Sequence, residues 1–406
     1  MTLIAVFVTL VFLFSLISGR LRRTIVTAPI VFTVAGMVSY LCLPILGLGP
    51  SQLDVFLGVA EVGLVLLLFT DASRTDLAAL REIRALPIRL LSVGMLLTIL
   101  LGGLAALVVF RELTLWQAGI LAAILAPTDA GLGQVIVTSP HVPARIREAL
   151  NVEAGLNDGL SVPFLLFFIA VAGVGAAGHG ASLTRLIIEQ LGFGTLVGVG
   201  IGLVGGLLLG LAHRRGWMHE PVQQLGVVAL PLLCVVASEA VAASMFIAAF
   251  VAGLAVQVGF KQAGGHCVEF AETWGQVLNS SVFFLFGALV ARAWPELGLT
   301  HVLYAVLSLT VVRMLPVAIA LLGTGLSRAT VAFMGWFGPR GLASIVLGLV
   351  YLEHAAGRAE PPAIRLAVMA TVLLSILAHG LSAKPGIAWL ARRNAKAEAA
   401  PVGSGR

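Results

Sequence analysis

The residues with the most chemical potential lie in Leu150–Leu160, LNVEAGLNDGL, where Glu153, Asn157 and Asp158 interrupt a stretch otherwise apolar enough to cross a membrane. An ionised carboxylate at that depth costs several kcal/mol unless it is paired, hydrated or protonated. On a helix turning about 100° per residue, Glu153 and Asn157 lie roughly 40° apart on one face, whereas Asp158 is roughly 140° from Glu153. The two acids therefore face different partners. One can be neutralised by a fixed cation while the other lines a wet cavity. A membrane carboxylate free to exchange protons or metal ions is the start of a transport mechanism.

Two further tracts bring polar groups to the same depth. Residues 126–133 read Ala-Pro-Thr-Asp-Ala-Gly-Leu-Gly, and residues 338–341 read Gly-Pro-Arg-Gly. Proline removes a backbone donor and glycine loosens a helix, so carbonyls and amides come free where only a cavity or packed protein tolerates them. Thr128 offers a hydroxyl and a carbonyl to a hard cation, which prefers oxygen ligands. Asp129 has two readings: a cap on the freed amides of a half-helix, or a direct contact with the ion. Asp158 is the carboxylate expected to serve as both cation ligand and proton carrier.

Glu153, if ionised, needs a counter-charge, and Arg313 and Arg340 are the two candidates within apolar segments. The pairing Glu153–Arg313 is preferred, which leaves Arg340 to serve the crossing of the broken segments. Asp71 either lines an access funnel or caps its helix, and Ser280 is a possible pathway residue. Glu61 and Glu239 read as structural or mouth-lining groups. His213, His266 and His379 read as solvated groups near one interface.

Composition supplies the setting. Of 406 residues 59% are hydrophobic and 11% charged, with a mean hydropathy of +1.05, against about 25% charged in soluble domains. The chain is thus expected to be an all-α polytopic membrane protein. Its net charge of +6 does not indicate nucleic acid, because most of the basic residues fall in short loops. Cys42, Cys234 and Cys267 are too scattered for a disulfide framework or a metal site. Met1–Ser18 lacks a basic leader and a cleavage motif, and reads as a first spanning helix. Residues 1–383 form one membrane unit, followed by a short tail at 384–406.

At roughly 20 apolar residues per crossing, about thirteen stretches emerge: 2–18, 28–48, 53–71, 87–110, 116–137, 149–174, 184–211, 223–242, 245–260, 276–294, 299–322, 331–351 and 362–383. With the N-terminus outside, eighteen of the 25 Lys and Arg fall on the inner side, five on the outer, and Arg313 and Arg340 remain within the membrane. That bias predicts N-out, C-in. The two interruptions fall in the fifth and twelfth stretches. Their odd offset makes these run oppositely, as two inverted repeats with crossed broken helices require.

The runs APTDAGLGQVIVTSPHVPARIREALNVEAGLNDGL (126–160), LLLFTDAS (66–73) and GPRGLASIVLGL (338–349) resemble the bacterial NhaP-type sodium/proton antiporters of the cation/proton antiporter superfamily. The resemblance covers essentially the whole membrane chain. It implies a core built mainly of stretches 3–6 and 10–13, a dimerisation domain mainly of stretches 1, 2 and 7–9, homodimers, and elevator-like exchange of Na⁺ or Li⁺ for H⁺ in a bacterial inner membrane. It carries ion-site roles to Thr128, Asp129, Asn157 and Asp158, with sodium held by Asp158 and Thr128, and places the family's third-helix acid at or near Asp71. It also implies electroneutral exchange from the Asn157-Asp158 pair, and no cofactor. Many relatives have Ser after the Glu of the sixth helix. Here that position is Ala154, so one hydroxyl ligand is lost, and affinity and the choice between Na⁺ and K⁺ stay open. A channel or sensor could use the same acids. An aspartyl protease could use Asp129 and Asp158 as a dyad, but the chain has no Gly-x-Gly-Asp run.

Overall fold

The structure is a computed structural model that describes residues 2–21, 24–42, 50–74, 85–177, 188–261, 269–354 and 361–399. Every described segment is built on helices, and no strand occurs among the described residues. The cause is chemical: apolar side chains face lipid or protein, and only a helix satisfies its own backbone where water is missing.

In chain order the helices are α1 (Thr2–Leu21), α2 (Ala28–Cys42), α3 (Pro50–Arg74), α4 (85–109, with a π-helical turn at Leu90–Gly94), α5 (Leu115–Ile124), α6 (Ala130–Val137), α7 (Ala144–Ala177) and α8 (188–214, opening on a π-helical turn). They continue as α9 (Glu220–Ala240), α10 (Met245–Gly259), α11 (Glu269–Ala293), α12 (Leu299–Leu309), α13 (Val311–Ala320), α14 (Arg328–Trp336), α15 (Leu342–His354) and α16 (Pro362–Ala399). Each of the apolar stretches read from the sequence overlaps one or more of these helices. Among the described residues, eight helices are long and apolar enough to cross a membrane by themselves. The chain is a multi-pass membrane protein.

Two differences from the sequence reading stand out. The stretch 299–322, expected as one helix, is divided at Thr310, whose ψ of −89° leaves the helical region. The Thr310 hydroxyl donates to the Val306 carbonyl, a back-bond that bends helices. The last helix continues past 383 to Ala399, because Ala383, Ile387 and Leu390 remain buried against Phe333 and Met334 of α14 and Phe337 just after it.

Small residues draw several helices into main-chain contact. Gly198, Gly202, Gly206 and Gly210 form one face of α8, and a Cβ at any of them would run into the carbonyl oxygens of Ala248, Ala252, Val256 and Gly259 on α10. A Cβ at Gly253 of α10 would meet the Phe69 carbonyl of α3, and one at Gly36 of α2 the Phe284 carbonyl of α11. Spacing of small residues every four positions permits this close approach between membrane helices. The main hydrophobic core lies between these helices and α5, α7, α15 and α16. A second core fills the end where α6, α7, α13, α14 and α16 meet. That end carries Arg145, Arg147, Arg214, Arg215, Lys261 and Arg328 at helix ends and in the loops beside them, and is called the basic face below.

Candidate ion-binding site

The site forms where α5–α6 and α14–α15 are interrupted and cross. α5 ends at Ile124, and Pro127 cannot extend it because it has no N–H. Asp129 then takes an extended conformation (φ −81°, ψ 116°) and caps α6, accepting from the Leu132 N–H at 3.0 Å through Oδ1. Its Oδ2 accepts from the Leu342 N–H at 2.6 Å, at the start of α15. The Asp129 N–H donates to the Pro339 carbonyl at 2.8 Å. One carboxylate thus caps two helix N-termini that converge from opposite directions, where both dipoles favour negative charge.

The opposite polarity is handled by Arg340. Its guanidinium donates to the carbonyl oxygens of Ala126 and Pro127, at 2.8 Å for the latter. These are the acceptors freed where α5 stops, and a cation suits the negative end of a helix dipole. The Arg340 N–H donates to Ser375 Oγ of α16 at 2.7 Å. Gly341 makes the double cap possible, since a Cβ there would overlap the Asp129 carboxylate. Gly341→Ala is accordingly expected to destabilise the fold by about 1–3 kcal/mol, the scale of losing caps at a buried site. A thermal unfolding curve in detergent checks this, and an unchanged midpoint would contradict the double cap.

Glu153 and Arg313 form a two-pronged ion pair, Nη1 to Oε1 at 2.5 Å and Nη2 to Oε2 at 3.0 Å. Both residues are buried. The planar guanidinium matches the carboxylate with two parallel hydrogen bonds, the geometry that best offsets the loss of solvent. Gly338 lets Arg313 pass, because a Cβ there would meet its guanidinium.

Asn157 donates from Nδ2 to Thr128 Oγ1 at 2.6 Å, tying α7 to the α5–α6 break. Asn157 Oδ1, Asp158 Oδ1 and Ser344 Oγ are buried and have no hydrogen-bond partner among the described residues. The charged groups that bear on Asp158 are Asp129, Asp71 and Arg340. Asp71 of α3 lies against Gly155, where a Cβ would come 3.4 Å from its own Cβ. A narrow crevice touches Thr128, Asp129, Gly133, Glu153, Ala154 and Pro339, and reaches toward Val137 and the exposed Asn151 near the basic face; of the two acids on α7 it is Glu153, not Asp158 as the sequence suggested, that lines it.

Ser280 is half-buried on α11, but its neighbour Asn279 is the residue that approaches the break: a Cβ at Gly131 would come 3.3 Å from Asn279 Nδ2. Asn279, Ser344 and Ser375 escaped the sequence reading. Ser344 was accessible in principle, one turn beyond Arg340 in the first turn of α15. His379 was expected at an interface, yet it is buried, since α16 extends well beyond it. Its Nε2 lies 2.8 Å from the Trp336 carbonyl and its Nδ1 3.2 Å from Ser375 Oγ. Glu239 is exposed at the end of α9. His266 and Cys267 lie outside the described residues.

Two capped breaks, a buried ion pair and one acid with a free oxygen thus meet where the half-helices cross. A family model described as "Sodium/hydrogen exchanger, transmembrane" matches residues 5–389. The chain belongs to that family. Its curated relatives include the sodium, potassium, lithium and rubidium/H⁺ antiporter of Bacillus subtilis, 28% identical over 55% of this chain and 34% of that protein. They also include the K⁺/H⁺ antiporter NhaP2 of Shewanella sp. MR-4, 26% identical over 80% of this chain and 56% of that protein, and the Na⁺/H⁺ antiporter ApNhaP of Aphanothece halophytica, 27% identical over 84% and 67%. The match to the B. subtilis protein thus spans about a third of its length. Among solved structures, the sodium proton antiporter MjNhaP1 of Methanocaldococcus jannaschii shares the fold, with a TM-score of 0.74 and 21% identity over 94% of this chain and 99% of that one. The exchanger relatives and structural neighbours are transporters rather than enzymes.

Proposed function

We propose that this exchanger-family protein moves Na⁺ or Li⁺ against H⁺ through one site, with Asp158 carrying either ion in turn. The observation that carries the reading is the unequal state of the three buried acids. Asp129 spends both oxygens on helix caps and Glu153 both on Arg313, whereas Asp158 keeps an oxygen without a partner. A deprotonated Asp158 with Thr128 oxygens and water suits a hard monovalent cation. A proton on the same carboxylate excludes it. Competition for one group converts a gradient of either ion into movement of the other without ATP.

Around that site the chain is assigned thirteen crossings, with its N-terminus outside and its C-terminus in the cytoplasm of a bacterial cell. Homodimers and elevator-like alternating access, serving pH and sodium homeostasis, complete the reading. K⁺/H⁺ exchange is a second reading, supported by Ala154 in the crevice wall and by the K⁺/H⁺ antiporters among the relatives. Proton flux in proteoliposomes offered Na⁺, Li⁺ or K⁺ in turn separates the two. Exchange driven by K⁺ but not by Na⁺ would overturn the first.

Electroneutrality follows from the same assignment. With Glu153 held to Arg313 and Asn157 in place of a second acid, the site carries the same net charge with Na⁺ or with H⁺. A membrane potential, worth about 2.3 kcal/mol per elementary charge per 100 mV, is then expected to leave the end point of exchange unchanged. Proteoliposomes clamped with a potassium–valinomycin potential of either sign check this through an internal pH dye. An end point that moves with voltage would show unequal numbers of protons and cations.

A further inference from the structure

We infer that the groove between α14 and α16 is a binding site for one anionic phospholipid. Its walls include Met314, Ala332, Phe333, Trp336, Pro385 and Trp389; it is open on one side, and Phe337 stands between it and the ion crevice, lining both. They are almost entirely apolar, as an acyl chain requires. Trp389 is exposed, and amphipathic rings of this kind settle at headgroup depth.

The charge at the end of the groove selects the headgroup. Arg328 stands four residues before Ala332 on α14, and Arg393 four residues after Trp389 on α16, both exposed. Four residues along a helix return to within about 40° of the same face, roughly 6 Å further on. Because α14 and α16 run in opposite directions, both arginines lie one turn beyond the apolar walls toward the basic face. A phosphate between them would meet two guanidinium groups while its chain lies on Trp336 and Trp389. A zwitterionic lipid offers the same chain but its own cation opposes the arginines.

The site is independent of which cation is carried. It does abut the transport machinery. Trp336 is the last residue of α14 before the break, donates from its indole N–H to Ser382 Oγ at 2.9 Å, and stacks on His379 with ring centroids 5.1 Å apart.

The test uses the full chain in vesicles of phosphatidylcholine and phosphatidylglycerol at nine to one, with bromine on the chains of one lipid at a time. Bromine quenches tryptophan fluorescence on contact. At roughly fivefold preference per arginine (about 1 kcal/mol each), two arginines give about 25-fold, so phosphatidylglycerol would fill about 70% of grooves against about 10% without preference. Brominated phosphatidylglycerol is expected to quench well beyond an equal mole fraction of brominated phosphatidylcholine. Arg328→Gln with Arg393→Gln is expected to abolish the excess. Ala332→Phe, which fills the groove from its exposed side and leaves both arginines, is expected to abolish it too. Equal quenching by the two lipids in the unaltered protein would overturn the proposal. An excess that survives Ala332→Phe would do the same, by showing a basic surface without a groove.

Discussion

Asp158→Asn protein reconstituted into vesicles is expected to show no Na⁺-driven proton flux above protein-free vesicles, while it inserts and unfolds with a near-normal thermal midpoint. The asparagine is nearly the same size and removes only the charge that both ions require. The fold does not need that charge, because Asp158 Oδ1 has no hydrogen-bond partner among the described residues, whereas Asp129 and Glu153 are committed to the architecture. Appreciable exchange by Asp158→Asn vesicles would end the single-site mechanism. A large loss of thermal stability would instead give Asp158 a structural role.

The second large effect belongs to the ion pair. Removing one partner of a buried pair strands the other charge at about 3–5 kcal/mol. Arg313→Ala and Glu153→Ala are each expected to lower stability on that scale. The double variant is expected to lose much less than the sum, because neither charge is then left behind. Arg340 is not the partner here: Arg313 holds both Glu153 oxygens, and Arg340 Nη1 is engaged with Ala126 and Pro127. Unfolding of the two single variants and the double variant in one detergent gives the cycle directly. Additive losses would show that the two residues do not depend on each other.

What could be read from the chain, and what could not, divides along a physical line. Helices and their interruptions follow from local chemistry. Twenty apolar residues leave the backbone no other way to satisfy itself, and Pro127 and Pro339 each lack a donor. The acids at 153 and 158 stand out because ionised groups are costly in lipid. Partnerships are another matter. Leu342 lies 213 residues from Asp129, and no spacing rule says that the two meet, still less that one carboxylate caps both half-helices. Sequence narrowed the partner of Glu153 to two arginines. The choice between them depends on how α7 and α13 cross and on Gly338 leaving room for a guanidinium. Asn279 gave no signal, since an asparagine beside two serines on a membrane helix is indistinguishable from a solvated turn until the helix is placed.

The glycine seams bear on motion. Where α8 meets α10, α10 meets α3 and α2 meets α11, carbonyl oxygens fill the space a Cβ would take. Such surfaces behave like meshed gears: sliding brings the Cβ of a larger residue onto main chain until a full step of about 6 Å has passed. The seams therefore join α8, α10 and α3 into one stiff slab and α2 and α11 into another. Contacts of α7 with these slabs have another texture. At Gly159 it meets the ring of Phe250, and at Gly155 the side chain of Asp71. Side chains can change rotamer and re-seat over fractions of an ångström, which meshed backbones cannot. These adaptable contacts lie on α7 itself, the helix that carries Asp158 one residue before Gly159.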